Sequence, residues 1–420
     1  MEKFMHWLSE SFAPRMQQIA NLPWIAALSS AMQKVIPFIL TGSLIFLYNV
    51  LRSYLQFLPN LGVIADYSFG MLGLVTAYML THQAMEKLNR TAYQINAALT
   101  AVSVFIIFIK PTLDSNGVFS VEFARFGPTG IMVGLIAGIF VTLVFDLFGK
   151  LNFMKESNAP DFVVVWLNNI IPMVLILGIA GLLTFNFGVD IFQVIVGIFT
   201  PIQSFGQTLP GFLLLCFIPT FLYSMGISTW LWGAVSTPIF LAGIAANIEA
   251  VKQGLPPLNI STSETVYTAA LITMGGVGAT LGLNILMLRS KSRDLRTIGR
   301  ITIVPSIFNI NEPIMFSAPV VMNPMLMLPM WINGITGPLV VWIVMRLGWL
   351  NIPQQMIQVG QIPSPFSTFM ITQDWRSFIV YPFLFIMYFI TWYPFFKVYE
   401  NQRVEQERAE DQLEEQSAVI

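Results

Sequence analysis

The sequence predicts an all-α integral membrane protein with about ten transmembrane helices, joined by re-entrant hairpin segments and amphipathic helices. Three observations carry that expectation. The chain of 420 residues is 55% hydrophobic and 10% charged, with a mean hydropathy of +0.70, whereas soluble domains carry about a quarter charged residues. Apolar runs long enough to cross a hydrocarbon core of about 30 Å recur along its whole length. Residues 301–324 set a carboxylate, with the amides Asn309 and Asn311 beside it, inside an apolar stretch cut by prolines. The net charge of −1 and the lack of a basic stripe interleaved with aromatics speak against nucleic acid. The single cysteine, Cys216, lies in the apolar run 212–218, so neither an intrachain disulfide nor a thiolate metal cluster is expected. His6 and His82 are far apart and form no His-Glu-x-x-His pair, so no metal ligand set and no cofactor is expected.

In chain order, residues 1–23 mix charge with Phe4, Trp7, Leu8 and Phe12 at helical spacing. That pattern suits a helix lying in the interface, not a secretory signal. Candidate spans follow near 24–50, 67–82, 95–110, 128–148, 162–186, 211–247, 266–288, 325–346 and 377–396. The segment 188–205, with Gln193, Pro201 and Gln203, is either an in-plane helix or a further crossing. Cytoplasmic loops gather Lys and Arg. The cluster Arg289–Arg300 is therefore placed inside, as are Lys87 with Arg90 and Lys150 with Lys155. Between 162–186 and the loop at 289 the crossings must be odd in number, yet the runs 211–247 and 266–288 supply two. Either 188–205 crosses, or the run 211–247 is split near Gly226-Ile-Ser-Thr229. Helix interruptions gather after residue 188, as they do around transporter sites. The expected division is an N-terminal membrane half over 1–186 and a C-terminal half with re-entrant loops over 187–396. A charged cytoplasmic tail over 397–420 follows, read as a solvated helix.

Residues 306–324 read Ser-Ile-Phe-Asn-Ile-Asn-Glu-Pro-Ile-Met-Phe-Ser-Ala-Pro-Val-Val-Met-Asn-Pro. Pro305, Pro313, Pro319 and Pro324 forbid one continuous helix. Broken backbone at membrane depth is tolerated only inside protein or along a wet cavity. An intramembrane carboxylate such as Glu312 is a site candidate, with Asn309 and Asn311 beside it. A second polar stretch, 222–238, combines Tyr223, Ser224, Ser228, Thr229, Trp230 and Trp232. Planar rings beside hydroxyls suit the two faces of a sugar, although Trp residues also belt the interface. Thr273-Met-Gly-Gly-Val-Gly-Ala-Thr-Leu-Gly282 lacks the Gly-Lys-Ser/Thr of a phosphate loop, so close backbone packing is its expected use. Lys34, His82, Asp146, Asp190, Glu249 and Glu264 fall near span ends, where snorkelling is cheap, and none has a partner evident in sequence. A proton or sodium relay calls for several mid-span carboxylates, and Glu312 alone resembles one. A membrane-embedded enzyme would need a dyad or metal set that the sequence does not display.

Phe308-Asn-Ile-Asn-Glu-Pro-Ile-Met-Phe316, then Pro319 and Asn323-Pro324, resembles the signature of enzyme IIC. Enzyme IIC is the membrane sugar channel of bacterial phosphotransferase systems, and the likeness is to the lactose/cellobiose/diacetylchitobiose family. Gly275-Gly-Val-Gly-Ala-Thr-Leu-Gly-Leu283 and the basic loop after it fit as well. The resemblance implies a ten-span homodimer in the bacterial cytoplasmic membrane, with dimer contacts in the N-terminal half. It implies a β-linked disaccharide held in the C-terminal half, with Glu312 at its primary hydroxyl and Asn311 at others. Asn309, Ser228, Thr229, Tyr223 and Trp230 complete the candidate substrate-binding set. The hydroxyl would be phosphorylated by a phosphocysteine on a separate IIB protein, since Cys216 sits in an apolar run. Two stretches depart from the family. Gly226-Ile-Ser-Thr229 stands where Gly-Ile-His-Gly is usual, placing Ser228 at the histidine. Pro363-Ser-Pro-Phe-Ser-Thr-Phe replaces a Pro-Trp-Thr-Thr-Pro-Pro-like stretch. An ion-coupled secondary transporter and a diverged sugar sensor without transport remain the competing readings.

Overall fold

In a computed structural model the described chain is helical apart from one two-stranded hairpin. The structure describes residues 6–7, 10–11, 13–32, 34–35, 38, 48, 52, 57–61, 64, 67, 69–127, 130–151, 161–227, 229–318, 320–357 and 362–418. Much of the expected interfacial segment 1–23 and of the span 24–50 lies outside them. What is described there is helix α1 (Ala13–Ala20) and helical chain over 23–32.

The chain divides into two compact units, one of residues 18–205 and 230–245, the other of residues 1–17, 206–229 and 246–420. The first is built on α2 (Leu72–Lys87), α3 (Gln94–Phe108), α4 (Ile131–Leu151), α5 (Asp161–Gly181) and α6 (Ile191–Gly206). Strands β1 (Thr112–Leu113) and β2 (Phe119–Ser120) form its hairpin. Small residues set the α2–α4 crossing: a Cβ on Gly134 would lie 2.2 Å from the Gly73 carbonyl oxygen. Helices in lipid gain contact by such close approach, because apolar side chains have no water to escape. Two of the ionisable residues placed near span ends, with no partner evident in sequence, find partners in the fold. Asp146 is buried and accepts from Arg90 Nε at 3.1 Å and Lys150 Nζ at 2.6 Å. Asp190 receives Arg125 Nη1 at 3.1 Å on each carboxylate oxygen.

The second unit holds α7 (Leu209–Ser224), α9 (Leu281–Leu288), α10 (Arg293–Ile307), α11 (Glu312–Ser317), α12 (Pro324–Arg346), α13 (Phe366–Thr372) and α14 (Ser377–Ala418). Helix α8 (Trp230–Lys252) follows α7 after a break at residues 225–229. The parity argument left two ways out, a crossing at 188–205 or a split near Gly226; α7 ends at Ser224 and Gly226 takes φ +76°. The stretch 301–324 is likewise broken, on both sides of α11. Among the described residues five helices are long and apolar enough to cross a membrane, or six if α6 and α7 together make one broken span.

Helix α14 has 42 residues, about 63 Å at 1.5 Å per residue, roughly twice a hydrocarbon core. Its charged end was expected to be solvated, yet Glu400 and Glu407 are buried. The reason is the start of α10, whose first N–H groups lack intrahelical acceptors. Glu407 supplies them: its carboxylate accepts from Ser292 Oγ, from Arg293 N at 3.0 Å and from Asp294 N at 3.0 Å. Glu400 accepts from Lys291 N at 2.7 Å and pairs with Lys397 Nζ at 2.6 Å. The end of α14 is thus strapped onto the basic turn between α9 and α10.

Candidate functional site

The Asn-Glu-Pro segment is shaped by where its backbone can go. Helix α10 ends at Ile307, and Asn309 takes φ +62°, a left-handed conformation that Asn tolerates better than most residues. Its Oδ1 accepts from Gly275 N at 3.0 Å. Asn311, buried at the start of α11, donates Nδ2 to the Val277 carbonyl at 2.8 Å. Pro313 follows as the second residue of α11, where a missing N–H costs nothing. Glu312 is therefore the first residue of a short helix.

The two asparagines are gripped by the glycine-rich loop, the close packing expected of it. Gly275, Gly276 and Gly278 have φ of +82°, +112° and +86°. A Cβ on Gly276 would lie 2.3 Å from Asn311 Cγ, and one on Gly278 would lie 2.4 Å from Met330 Cγ. Side chains from α14 and α13 hold the loop in place. Trp392 Nε1 donates to the Ala279 carbonyl at 2.9 Å and Tyr388 Oη to the Leu271 carbonyl at 2.8 Å. Thr368 Oγ1 donates to the Ala269 carbonyl at 2.6 Å.

Tyr223, near the end of α7, is 7% exposed, and its hydroxyl makes no hydrogen bond among the described residues. Its ring meets Phe316 of α11 edge-on at 6.3 Å, and Glu312 is close enough to act on the phenol electrostatically. Glu312 itself is open to solvent, with no ion pair or hydrogen bond to its side chain among the described residues. Two contacts tie the α7 end to the same region: Met322 N donates to the Ser224 carbonyl at 2.9 Å, and Trp331 Nε1 to Ser224 Oγ at 2.8 Å.

Of the expected substrate-binding residues, Glu312, Asn311, Asn309 and Tyr223 thus gather on one framework. Thr229 is half-buried and directly precedes α8. Trp230 is the first residue of α8, and nothing of its side chain is described; Ser228 lies outside the described residues. The sequence reading passed over Asn333 and Ser306. Asn333 is 1% exposed in mid-α12 with neither amide atom hydrogen-bonded, and Ser306 Oγ is buried and unpartnered. The signal for Asn333 was present, as a lone amide in the apolar run 325–346. Glu264, placed near a span end, is fully buried, accepting from Ser263 Oγ at 2.8 Å.

A solvent-facing carboxylate beside a buried phenol and fixed amides suits a neutral ligand rich in hydroxyls. The profile of the family "Phosphotransferase system, EIIC" matches residues 29–334. The Lichenan permease IIC component of Bacillus subtilis (strain 168) is 27% identical, the match covering 97% of this chain and 96% of that one. The lactose-specific EIICB component of Staphylococcus haemolyticus (strain JCSC1435) is 27% identical over 98% of this chain and 73% of its own length. The crystal structure of ChbC, the IIC component of the N,N'-diacetylchitobiose-specific phosphotransferase system, superposes with a TM-score of 0.83. At 22% identity it covers 96% of this chain and 99% of ChbC, and it shows the shared fold. The chain belongs to the phosphotransferase system EIIC family.

Proposed function

We propose that this protein is a ten-span, homodimeric sugar permease of the bacterial cytoplasmic membrane that translocates a β-linked disaccharide while a IIB phosphocysteine phosphorylates it. The half over 1–186 makes the dimer, and the half over 187–396 carries the sugar. The observation that carries this reading is Glu312, held in place by the clasp of Asn309, Asn311 and the glycine loop, yet without a hydrogen bond or ion pair to its side chain among the described residues. A carboxylate so placed orients a sugar's primary hydroxyl and takes its proton as oxygen attacks phosphorus. Tyr223 and the free Nδ2 of Asn309 offer further hydrogen bonds to the sugar. Asn311 fixes the geometry, and Ser228, Thr229 and Trp230 are proposed as further contacts to the sugar.

The substrate class draws support from the printed names of the relatives, which include a lichenan permease, a lactose-specific component and a diacetylchitobiose-specific transporter. In the lactose-specific relative the name itself joins C and B components in one chain. The thiol of Cys216 is buried in α7, so it is not the phosphocysteine that serves the sugar. Ser228, at the family's histidine position, hydrogen-bonds the sugar but carries no positive charge.

Whole-cell uptake separates this mechanism from its rival. A permease of this kind takes up cellobiose as its phosphate, dependent on phosphoenolpyruvate and indifferent to a protonophore. Uptake of unmodified sugar that collapses with the ion gradient would instead establish secondary transport. Sugar bound without any uptake would establish a sensor.

A further inference from the structure

Beside the basic turn of the second unit, α10, α11 and α14 enclose a hollow of about 390 Å³, a size in the range of roughly 300–1,000 Å³ found for binding pockets. Its floor belongs to the packed core: Leu295 is 1% and Tyr399 8% exposed, and Ile298 packs against the same cluster. Asp294 and Thr297 of α10, Ser317 of α11 and Arg403 of α14 make the rest of the wall. The hydroxyls of Tyr399 and Ser317 make no hydrogen bond among the described residues.

Ser317 shows how the segment runs. It ends α11, yet it lines one hollow with Asp294 and Thr297 from the start of α10. Helix α10 therefore leads inward from the basic turn, the chain reverses at the clasp of Asn309 and Asn311, and α11 comes back. Glu312 and Ser317 are the first and last residues of α11, about 7.5 Å apart along its axis at 1.5 Å per residue. Basic turns stay in the cytoplasm, so the hollow is the cytoplasmic approach to Glu312.

The charges there suit an anion. The turn and α10 carry Arg289, Lys291, Arg293, Arg296 and Arg300 against Asp294 alone. Arg293 pairs with Asp411 at 2.6 Å, and Arg296 donates to the Ser290 carbonyl at 2.8 Å. Arg289, Lys291 and Arg300 are exposed and make no ion pair among the described residues. The tail acids Glu400 and Glu407 are taken up by backbone N–H groups and Lys397. Arg403 meets Asp294 at 2.7 Å across the rim, and a part-exposed surface pair of this kind holds weakly.

We propose that this hollow is where the IIB partner docks. An apolar side chain of its phosphocysteine loop seats on Leu295, Ile298 and Tyr399. The free cations draw in the phosphoryl group, which carries roughly 1.5 to 2 negative charges at neutral pH, and Arg403 releases Asp294 to meet it on the way in. Docking here brings phosphorus along α11 to the hydroxyl held at Glu312. The S–P bond to cysteine breaks as the O–P bond to the sugar forms, and the hydroxyl proton passes to Glu312. The inference rests on the chain's being a permease served by a IIB protein, and it names the surface that protein uses.

Cys216 is the single cysteine and is buried, so an introduced cysteine reports alone. The probes are the phosphorylated IIB proteins of the same bacterium, tried one by one on the full-length protein in phosphatidylcholine nanodiscs. Thr297→Cys, at an exposed position, should react with maleimide at least tenfold more slowly once a phosphorylated IIB protein is bound. Leu113→Cys, on the hairpin of the other unit and 71% exposed, should react at an unchanged rate. Arg403→Gln should raise KM for phosphorylated IIB about tenfold while cellobiose affinity and melting temperature stay in place. Lys291→Glu with Arg300→Glu should raise that KM and flatten its dependence on salt. No protection of Thr297→Cys by any IIB protein overturns the proposal; if one of them still yields cellobiose phosphate with the wild type, the permease reading stands. Protection by a IIB protein while none yields cellobiose phosphate would uphold the docking face and sink the permease reading. Protection by phosphatidylglycerol in the nanodisc, with no further effect of IIB, would assign the hollow to lipid and overturn the proposal.

Discussion

Substituting Gly276 by alanine probes the clasp that positions Glu312. Two costs follow from the structure. The backbone at φ +112° is a conformation that side-chain-bearing residues rarely adopt, worth roughly 1–3 kcal/mol. The new Cβ would also fall 2.3 Å from Asn311 Cγ and 2.6 Å from its Oδ1, so Asn311 must move and its 2.8 Å bond to Val277 breaks. Leaving a buried amide and carbonyl unpaired costs a further ~1–3 kcal/mol. The two parts sum to roughly 4 kcal/mol. The control is Gly254→Ala, where φ is +73° and no atom lies within 4 Å of the added Cβ. That change carries backbone strain alone, about 1–2 kcal/mol. Melting curves in detergent, read beside cellobiose binding, compare them. Gly276→Ala should melt well below Gly254→Ala and lose sugar affinity, whereas Gly254→Ala should bind as wild type does. Equal melting shifts with sugar binding intact in both would refute the clasp.

Two further outcomes are expected from the ends of α14. Glu407→Gln keeps one acceptor oxygen but loses the charge that serves the first N–H groups of α10; at roughly 2–3 kcal/mol the strap should loosen, and trypsin should cut the tail after Arg403 and Arg408 faster than in wild type, an unchanged rate being the contrary result. Hydrogen bonds from the Arg376 side chain hold the Asp374 carboxyl below the ordinary carboxylate range, against the opposing effect of burial. A carboxyl depressed on folding stabilises above its unfolded value of about 3.9, and that stability fades as pH falls through the folded value. Amide exchange at Asn351 and Arg376 should therefore accelerate under acid below about pH 4, and Asp374→Asn should abolish that acid dependence.

The sequence made the breaks in the fold legible because breaks have local causes. Pro305, Pro313 and Pro324 mark the interrupted stretch around α11, and counting charges on alternate sides offered a split near Gly226 as one of two ways to restore parity. The glycine loop was legible as a place of close backbone approach, although its partners, Asn309 and Asn311, lie 34 residues away from Gly275 and Val277. What stayed hidden depends on tertiary neighbours. Asp146 finds Arg90 across 56 residues, Asp190 finds Arg125 across 65, and Glu407 reaches Asp294 N across 113. A run of acidic residues in a tail gives no sign that one of them caps a distant helix. The burial of Glu264 was hidden for the same reason, since hydropathy counts neighbours along the chain and not through space.

The most direct test of the account replaces one oxygen by an amide. Glu312→Gln preserves size and leaves Asn309, Asn311 and the glycine loop undisturbed, but removes the acceptor for the sugar's proton. With the IIB protein and phosphoenolpyruvate supplied, membranes carrying the variant at wild-type abundance should form cellobiose phosphate at least a hundredfold more slowly, the scale of a lost general base. Phosphorylation at the wild-type rate would contradict the account.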